Sequence, residues 1–134
     1  LSPDILVQSE ETPRSDRHHS ILIAEDVYEN YFLLETLFGK QYQLYHALNG
    51  QEAIDMFETY HPDLILMDIK MPVMDGFEAT RRIRTLSKTI PIIALTAFAF
   101  EREKEIAKQC EFTDYVVKPI DIKELKKLIA KVLA

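Results

Sequence analysis

From Ser20 onward the chain alternates short apolar runs with longer stretches whose apolar residues recur every three or four positions. Ile21-Leu22-Ile23-Ala24, Leu64-Ile65-Leu66-Met67 and Ile92-Ile93-Ala94-Leu95 have no polar interruption and are bounded by polar residues or proline. Strands that bury both faces read this way, as they do in parallel sheets. Tyr42 to Ala47 and Asp114 to Val117 are weaker strand candidates. Between them the periodicity predicts helices over 27–39, 50–60, 75–87, 99–109 and 121–133. In the last of these, Ile122, Leu125, Leu128, Ile129 and Val132 share a face, lysines dominate the other, and Asp121 stands at the N-cap.

Five β-then-α units without an internal repeat imply a doubly wound α/β domain: a parallel sheet covered by helices on both faces, with right-handed crossovers. Ligands of such sheets collect beyond the carboxyl ends of the strands. Residues 1–19 differ in character. Gln8 to Ser20 contains no apolar residue, so 1–19 reads as a polar linker or tail and 20–134 as the folded domain. Ile5-Leu6-Val7 is a short apolar patch within that tail, and His18-His19 is too isolated to make a preorganised metal site.

Composition narrows the function classes. The 16 Lys and Arg against 22 Asp and Glu leave a formal charge of −6, which argues against direct nucleic-acid binding. A single cysteine, Cys110, excludes an internal disulfide and a multi-cysteine zinc site, and reads as a small buried residue. No apolar run approaches the ~20 residues of a membrane-spanning helix, and the Leu1 start lacks a signal-peptide pattern. The expectation is a soluble cytoplasmic domain cut from a longer protein.

The strand ends carry the chemistry. The first strand ends in Glu25-Asp26, the third in Asp68, the fourth in Thr96, and the fifth runs into Lys118-Pro119. Taken singly, each residue is an ordinary cap, turn or surface group. Five such residues, each at the end of its own strand, are a constellation. Three carboxylates at one sheet edge repel one another unless a cation neutralises them, and Mg²⁺ does so with carboxylate oxygens and waters. Lys118 adds a point charge and Thr96 a hydroxyl donor for phosphoryl oxygens, a set sufficient for phosphoryl transfer with Asp68 as the nucleophile.

These stretches resemble the receiver domains of the response-regulator family over residues 20–134. The matching motifs are Ile21-Leu22-Ile23-Ala24-Glu25-Asp26, Leu64 to Gly76 (with Met67-Asp68-Ile69-Lys70-Met71-Pro72 at its centre), Ala94-Leu95-Thr96-Ala97 and Tyr115-Val116-Val117-Lys118-Pro119. The resemblance implies a flavodoxin-like five-stranded sheet of order 2-1-3-4-5 with five helices. It implies that Asp68 accepts a phosphoryl group from a phosphohistidine of a sensor kinase or a histidine phosphotransfer domain. It further implies that Glu25, Asp26, Asp68 and the Lys70 backbone carbonyl bind Mg²⁺, that Thr96 and Lys118 contact the phosphoryl oxygens, and that the Lys118–Pro119 peptide is cis. Thr96 and Tyr115 would form the switch, the Tyr115 ring turning inward as Thr96 is drawn to the new charge. The first helix would dock the phosphohistidine helices through Tyr28 or Phe32. The resemblance also allows a weak dimer through the fourth helix, fifth strand and fifth helix.

Two positions depart from the family pattern. A glycine usually closes the fourth helix, but here the segment is Cys110-Glu111-Phe112-Thr113, so either Glu111 is strained or the turn differs. Phe98 stands where many members have a polar residue, and an apolar group there would slow autodephosphorylation. Gly50 and Gly76 are read as structural, supplying left-handed or tight turns into their helices. The wording around Asp68 and the tail before Ser20 point to the receiver of a hybrid sensor histidine kinase. Such a parent would be an enzyme, whereas the receiver alone promotes only transfer to its own aspartate and autodephosphorylation. A stand-alone regulator is the alternative, followed by a pseudo-receiver that only binds partners, which typically lacks one of the five site residues. A phosphatase or nucleotide-binding enzyme of similar fold is disfavoured by Lys70, where a second carboxylate would stand, and by the missing glycine-rich phosphate loop.

Overall fold

The apolar runs become the strands of one parallel sheet. The computed structural model describes residues 19–97, 105–106 and 108–134. Strands β1 (Ser20–Ala24), β2 (Gln43–Ala47), β3 (Leu64–Asp68), β4 (Ile92–Thr96) and β5 (Asp114–Val117) pair in the order β2-β1-β3-β4-β5. Every ladder is parallel. With helices on both faces, this is the flavodoxin-like fold. The uninterrupted runs fall on the three central strands. All five residues of β3 and of β4 are buried, as are Ile21 to Ala24 of β1, and the polar residues among them, Asp68 and Thr96, stand at the carboxyl ends of their strands.

Helices α1 (Tyr28–Phe38), α2 (Gly50–Tyr60), α3 (Gly76–Leu86) and α4 (Ile122–Leu133) cover the sheet. Of the helix expected over 99–109, residues 105, 106, 108 and 109 are helical. The remainder of that stretch, Phe98 with its expected effect on hydrolysis, and residues 1–18 lie outside the described residues. Asp121 caps α4 by accepting from Glu124 N at 3.1 Å, and Asn49 and Asp75 cap α2 and α3 in the same way at 2.9 Å.

Successive strand residues face opposite layers, which divides the core in two. Ile21, Ile23, Leu64, Leu66, Ile93 and Leu95 meet α1 and α4 through Tyr31, Leu34, Phe38, Leu125 and Ile129. Leu22, Ala24, Ile65, Met67 and Ile92 meet α2 and α3 through Ala53, Ile54, Phe57, Ala79 and Ile83. At the amino end of the sheet the Asp63 carboxylate accepts from the Ser20 backbone N–H at 2.8 Å, and Asp63 N–H returns a bond to Ser20 O at 2.9 Å. This pins the start of β1 to the start of β3.

Candidate functional site

Parallel pairing brings the carboxyl ends of β1, β3, β4 and β5 to one edge, and the polar residues found there in the sequence converge. Carboxylate oxygens of Glu25, Asp26 and Asp68 all lie within 4.8 Å of one another. Lys118 reaches back across the sheet to place Nζ 3.2 Å from Asp68 Oδ2 and 3.4 Å from Glu25 Oε1. Glu25 and Asp68 are buried while Asp26 is exposed, so the cluster has a dry floor and one wet wall. Burial is the main force pushing the Glu25 carboxyl above its usual range, and the nearby Asp68 charge adds to it. The Val27 N–H bond and the Lys118 charge pull the other way.

Thr96 is buried at the end of β4, and the Lys118 N–H donates to its carbonyl at 2.7 Å. Tyr115 is half-buried on β5 opposite Ala94, two residues below Thr96 along β4. Lys70 is exposed two residues beyond Asp68. The Lys118–Pro119 peptide is cis, as the motif led us to expect.

The loop leaving Asp68 is closed by its own backbone. Gly76 N–H donates to Ile69 O at 2.9 Å, Met74 N–H to Pro72 O at 2.7 Å, and Gly50 N–H reaches in from α2 to Met74 O at 2.8 Å. Here the expected role of the glycines is corrected in part: neither Gly50 nor Gly76 has a positive φ. They are needed for close approach instead. A Cβ on Gly76 would stand 2.2 Å from Asp68 O, and one on Gly50 would stand 2.5 Å from Met74 O. The left-handed residue in this loop is Val73, with φ 69°.

Of the two possibilities at the missing glycine, the strained one is realised, since Glu111 has φ 64°. Arg84, buried in α3, holds it there: Nε donates to Glu111 O at 2.9 Å, and Nη1 donates to Ile90 O at 2.7 Å. Cys110 is buried, and desolvation pushes its thiol up from the ordinary range, with Arg81 Nη1 3.4 Å away as the opposing influence. It is a packing residue.

Directly after Asp26 in the chain, Val27 at the N-cap of α1 and Tyr28, Phe32 and Leu33 within the helix present large apolar surfaces to solvent. Tyr28 and Phe32 stack on one another with ring centroids 6.0 Å apart. The sequence reading missed His46, near the end of β2, whose Nε2 lies 2.7 Å from the backbone carbonyl of Glu25. The signal was available: β1 and β2 run in register with Ile23 opposite His46, which sets the histidine beside the strand end that carries Glu25.

Chemically, three hard oxygen donors around a buried negative floor suit a divalent cation with open positions, and a lysine already lodged between two of them shows that the cluster demands positive charge. The residues present therefore fit Mg²⁺. No helix among the described residues is long and apolar enough to cross a membrane.

Comparison with known proteins agrees with the geometry. Sporulation initiation phosphotransferase F of Bacillus subtilis is 34% identical over 117 residues, 87% of this chain and 94% of that protein. Another curated relative, 38% identical, is matched over 25% of its own length, so the chain spans from a quarter to nearly all of these relatives. The receiver domain of sensor histidine kinase PA1611 from Pseudomonas aeruginosa, solved with a magnesium ion in its active-site cleft, superposes with a TM-score of 0.80 at 34% identity, covering 86% of this chain and 97% of that one. The co-crystal structure of Saccharomyces cerevisiae histidine phosphotransfer protein Ypd1 with the receiver domain of response regulator Ssk1 gives a TM-score of 0.79 at 31% identity, covering 84% and 87%. Residues 21–130 match the profile of the response regulator receiver domain, and the chain belongs to that family.

Proposed function

We propose that this chain is the phosphoacceptor of a two-component phosphorelay and that Asp68 is the aspartate modified. The observation that carries this is the convergence of the Glu25, Asp26 and Asp68 carboxylates within 4.8 Å, with Lys118 Nζ 3.2 Å from Asp68. An Asp68 oxygen attacks the phosphorus of a phosphohistidine. The P–N bond breaks, its electron pair returns to the imidazole, and an acyl phosphate forms on Asp68. Lys118 turns from bridging two carboxylates to holding a phosphoryl oxygen, and the Thr96 hydroxyl donates to another. Glu25, Asp26, Asp68 and the Lys70 carbonyl would hold Mg²⁺, which when bound would supply charge neutralisation for the phosphoryl oxygens. The added charge draws Thr96 inward and lets the Tyr115 ring turn, which reshapes the surface beside β5.

The phosphodonor docks on the exposed apolar side chains of Tyr28, Phe32 and Leu33 on α1, the helix that starts two residues after Asp26. A phosphohistidine-bearing helix pair is the partner, in keeping with the Ypd1–Ssk1 co-crystal, and the reaction belongs to the cytoplasm. Intact-mass measurement after incubation with Mg²⁺ and acetyl phosphate tests the reading. One added phosphoryl group that is absent from Asp68→Asn supports it, whereas an unmodified wild-type chain favours a pseudo-receiver. For the parent protein, the receiver of a hybrid sensor histidine kinase remains our reading, with the PA1611 receiver as the supporting neighbour. The near-complete coverage of sporulation initiation phosphotransferase F supports a stand-alone regulator as the second reading.

A further inference from the structure

Glu25 and Asp26 are neighbours in sequence, so the peptide plane between them sets how their two side chains diverge. That plane is rigid, which means that fixing its carbonyl oxygen constrains ψ of Glu25 and φ of Asp26 together. Its oxygen is the one that His46 holds at 2.7 Å. A carbonyl only accepts, so Nε2 carries the proton and the tautomer is determined by the contact. The aim of the ring is fixed from the other side. Tyr31 of α1, itself buried, lies on the imidazole with ring centroids 3.7 Å apart and planes within 1° of parallel. Glu25 is then held at further points: its N–H donates to Ala47 O at 3.0 Å, and its carboxylate accepts from Val27 N–H at 3.1 Å. Asp26 is exposed and has no such frame among the described residues, so its direction depends on the peptide that precedes it.

We propose that His46 is a positioning residue for the acidic site: its Nε2–H, aimed by the Tyr31 ring, locks the Glu25–Asp26 peptide and so sets the Asp26 carboxylate for Mg²⁺. The inference rests on the phosphoacceptor reading for the identity of the cation and on the structure alone for the lock. Hydrogen-bonded partners behind metal ligands typically matter by about tenfold or more in metal affinity.

Two substitutions separate the bond from the stack. His46→Phe keeps a ring against Tyr31 and removes the donor; His46→Gln places an amide N–H near the Nε2 position and removes the ring. Calorimetric Mg²⁺ titration of the folded chains is expected to show His46→Phe weakened about tenfold and His46→Gln close to wild type, with thermal midpoints recorded separately. Equal affinity in wild type and His46→Phe overturns the proposal, and so does equal weakening in both variants, which would make the ring a packing group. Should His46→Phe fail to fold, His46→Gln is read against Tyr31→Leu, which keeps the donor and frees its aim; wild-type affinity in Tyr31→Leu then overturns it. The carbonyl-carbon chemical shift of Glu25 in the metal-free chain is the second readout, expected to move in His46→Phe and to stay near wild type in His46→Gln. If wild type binds no Mg²⁺, the phosphoacceptor reading fails, and an unchanged Glu25 carbonyl shift in His46→Phe is then what overturns the lock.

Discussion

Helices α1 and α4 pack on the same face of the sheet and share one hydrophobic cluster, yet they use their apolar residues differently. In α4 the apolar side chains form a single stripe, with Leu125 and Ile129 buried and lysines outside. In α1 Tyr31, Leu34 and Phe38 serve the core, while Tyr28, Phe32 and Leu33 face solvent. The N-termini differ as well: α4 has a side-chain cap from Asp121, whereas α1 starts at Val27 without one. Helix α4 turns its buried apolar stripe to the core. Helix α1 carries further apolar side chains that the core does not use, and the helix starts two residues after Asp26.

The comparison can be broken most forcefully in the core. Leu125→Ala should cost about 3 kcal/mol of unfolding free energy in urea titrations, while Phe32→Ala should cost about 0.5 kcal/mol because its ring is largely outside. Comparable losses would mean that Phe32 is structural. Next comes alkaline pH. Burial, followed by the Glu35 charge, pushes the Tyr31 hydroxyl up to about 12. The unfolded chain loses that proton near the ordinary tyrosine value of 10.0, so stability conferred by neutral Tyr31 is intact below pH 10 and falls as pH rises toward 12. A loss of about 2 kcal/mol across that window is expected, and Tyr31→Phe should flatten this part of the curve. Helix α4 has no tyrosine, so Leu125→Ala should leave the slope unchanged. Third, Phe32→Ala should slow phosphoryl transfer from a phosphohistidine protein about tenfold while leaving the rate with acetyl phosphate as it was. An equal effect on both donors would remove α1 as the docking surface. The smallest effect belongs to the cap: Asp121→Ala should lower stability by about 1 kcal/mol with transfer from either donor unaltered.

Much of this was legible in the sequence. Central strands of a parallel sheet must be apolar on both faces, so the runs at Ile21, Leu64 and Ile92 announced themselves, and with them the residues that end each run. Glu25, Asp26, Asp68, Thr96 and Lys118 were found because position relative to a strand end is a local property. What depends on the path of the backbone in three dimensions was not readable. The glycine at 76 looked like a turn residue, and only the proximity of Asp68 O shows that it is there for lack of a Cβ. Glu111 was recognised as misplaced, but the buried guanidinium that tolerates it is 27 residues away. His46 belongs to an edge strand whose residues are mostly half-buried, so its periodicity gave no reason to single it out.

The bond between Ser20 and Asp63 has a consequence for how the domain is attached to anything else. It places the entry of β1 at the end of the sheet opposite the acidic cluster, a separation of about 16 Å for five strand residues. Helix α4 leaves the cluster end after Lys118 and travels back about 18 Å over its twelve residues. The start of β1 and the end of α4 therefore both lie away from Asp68. A group attached directly at Ser20 or at the last turn of α4 is carried at the edge of the sheet remote from the three carboxylates.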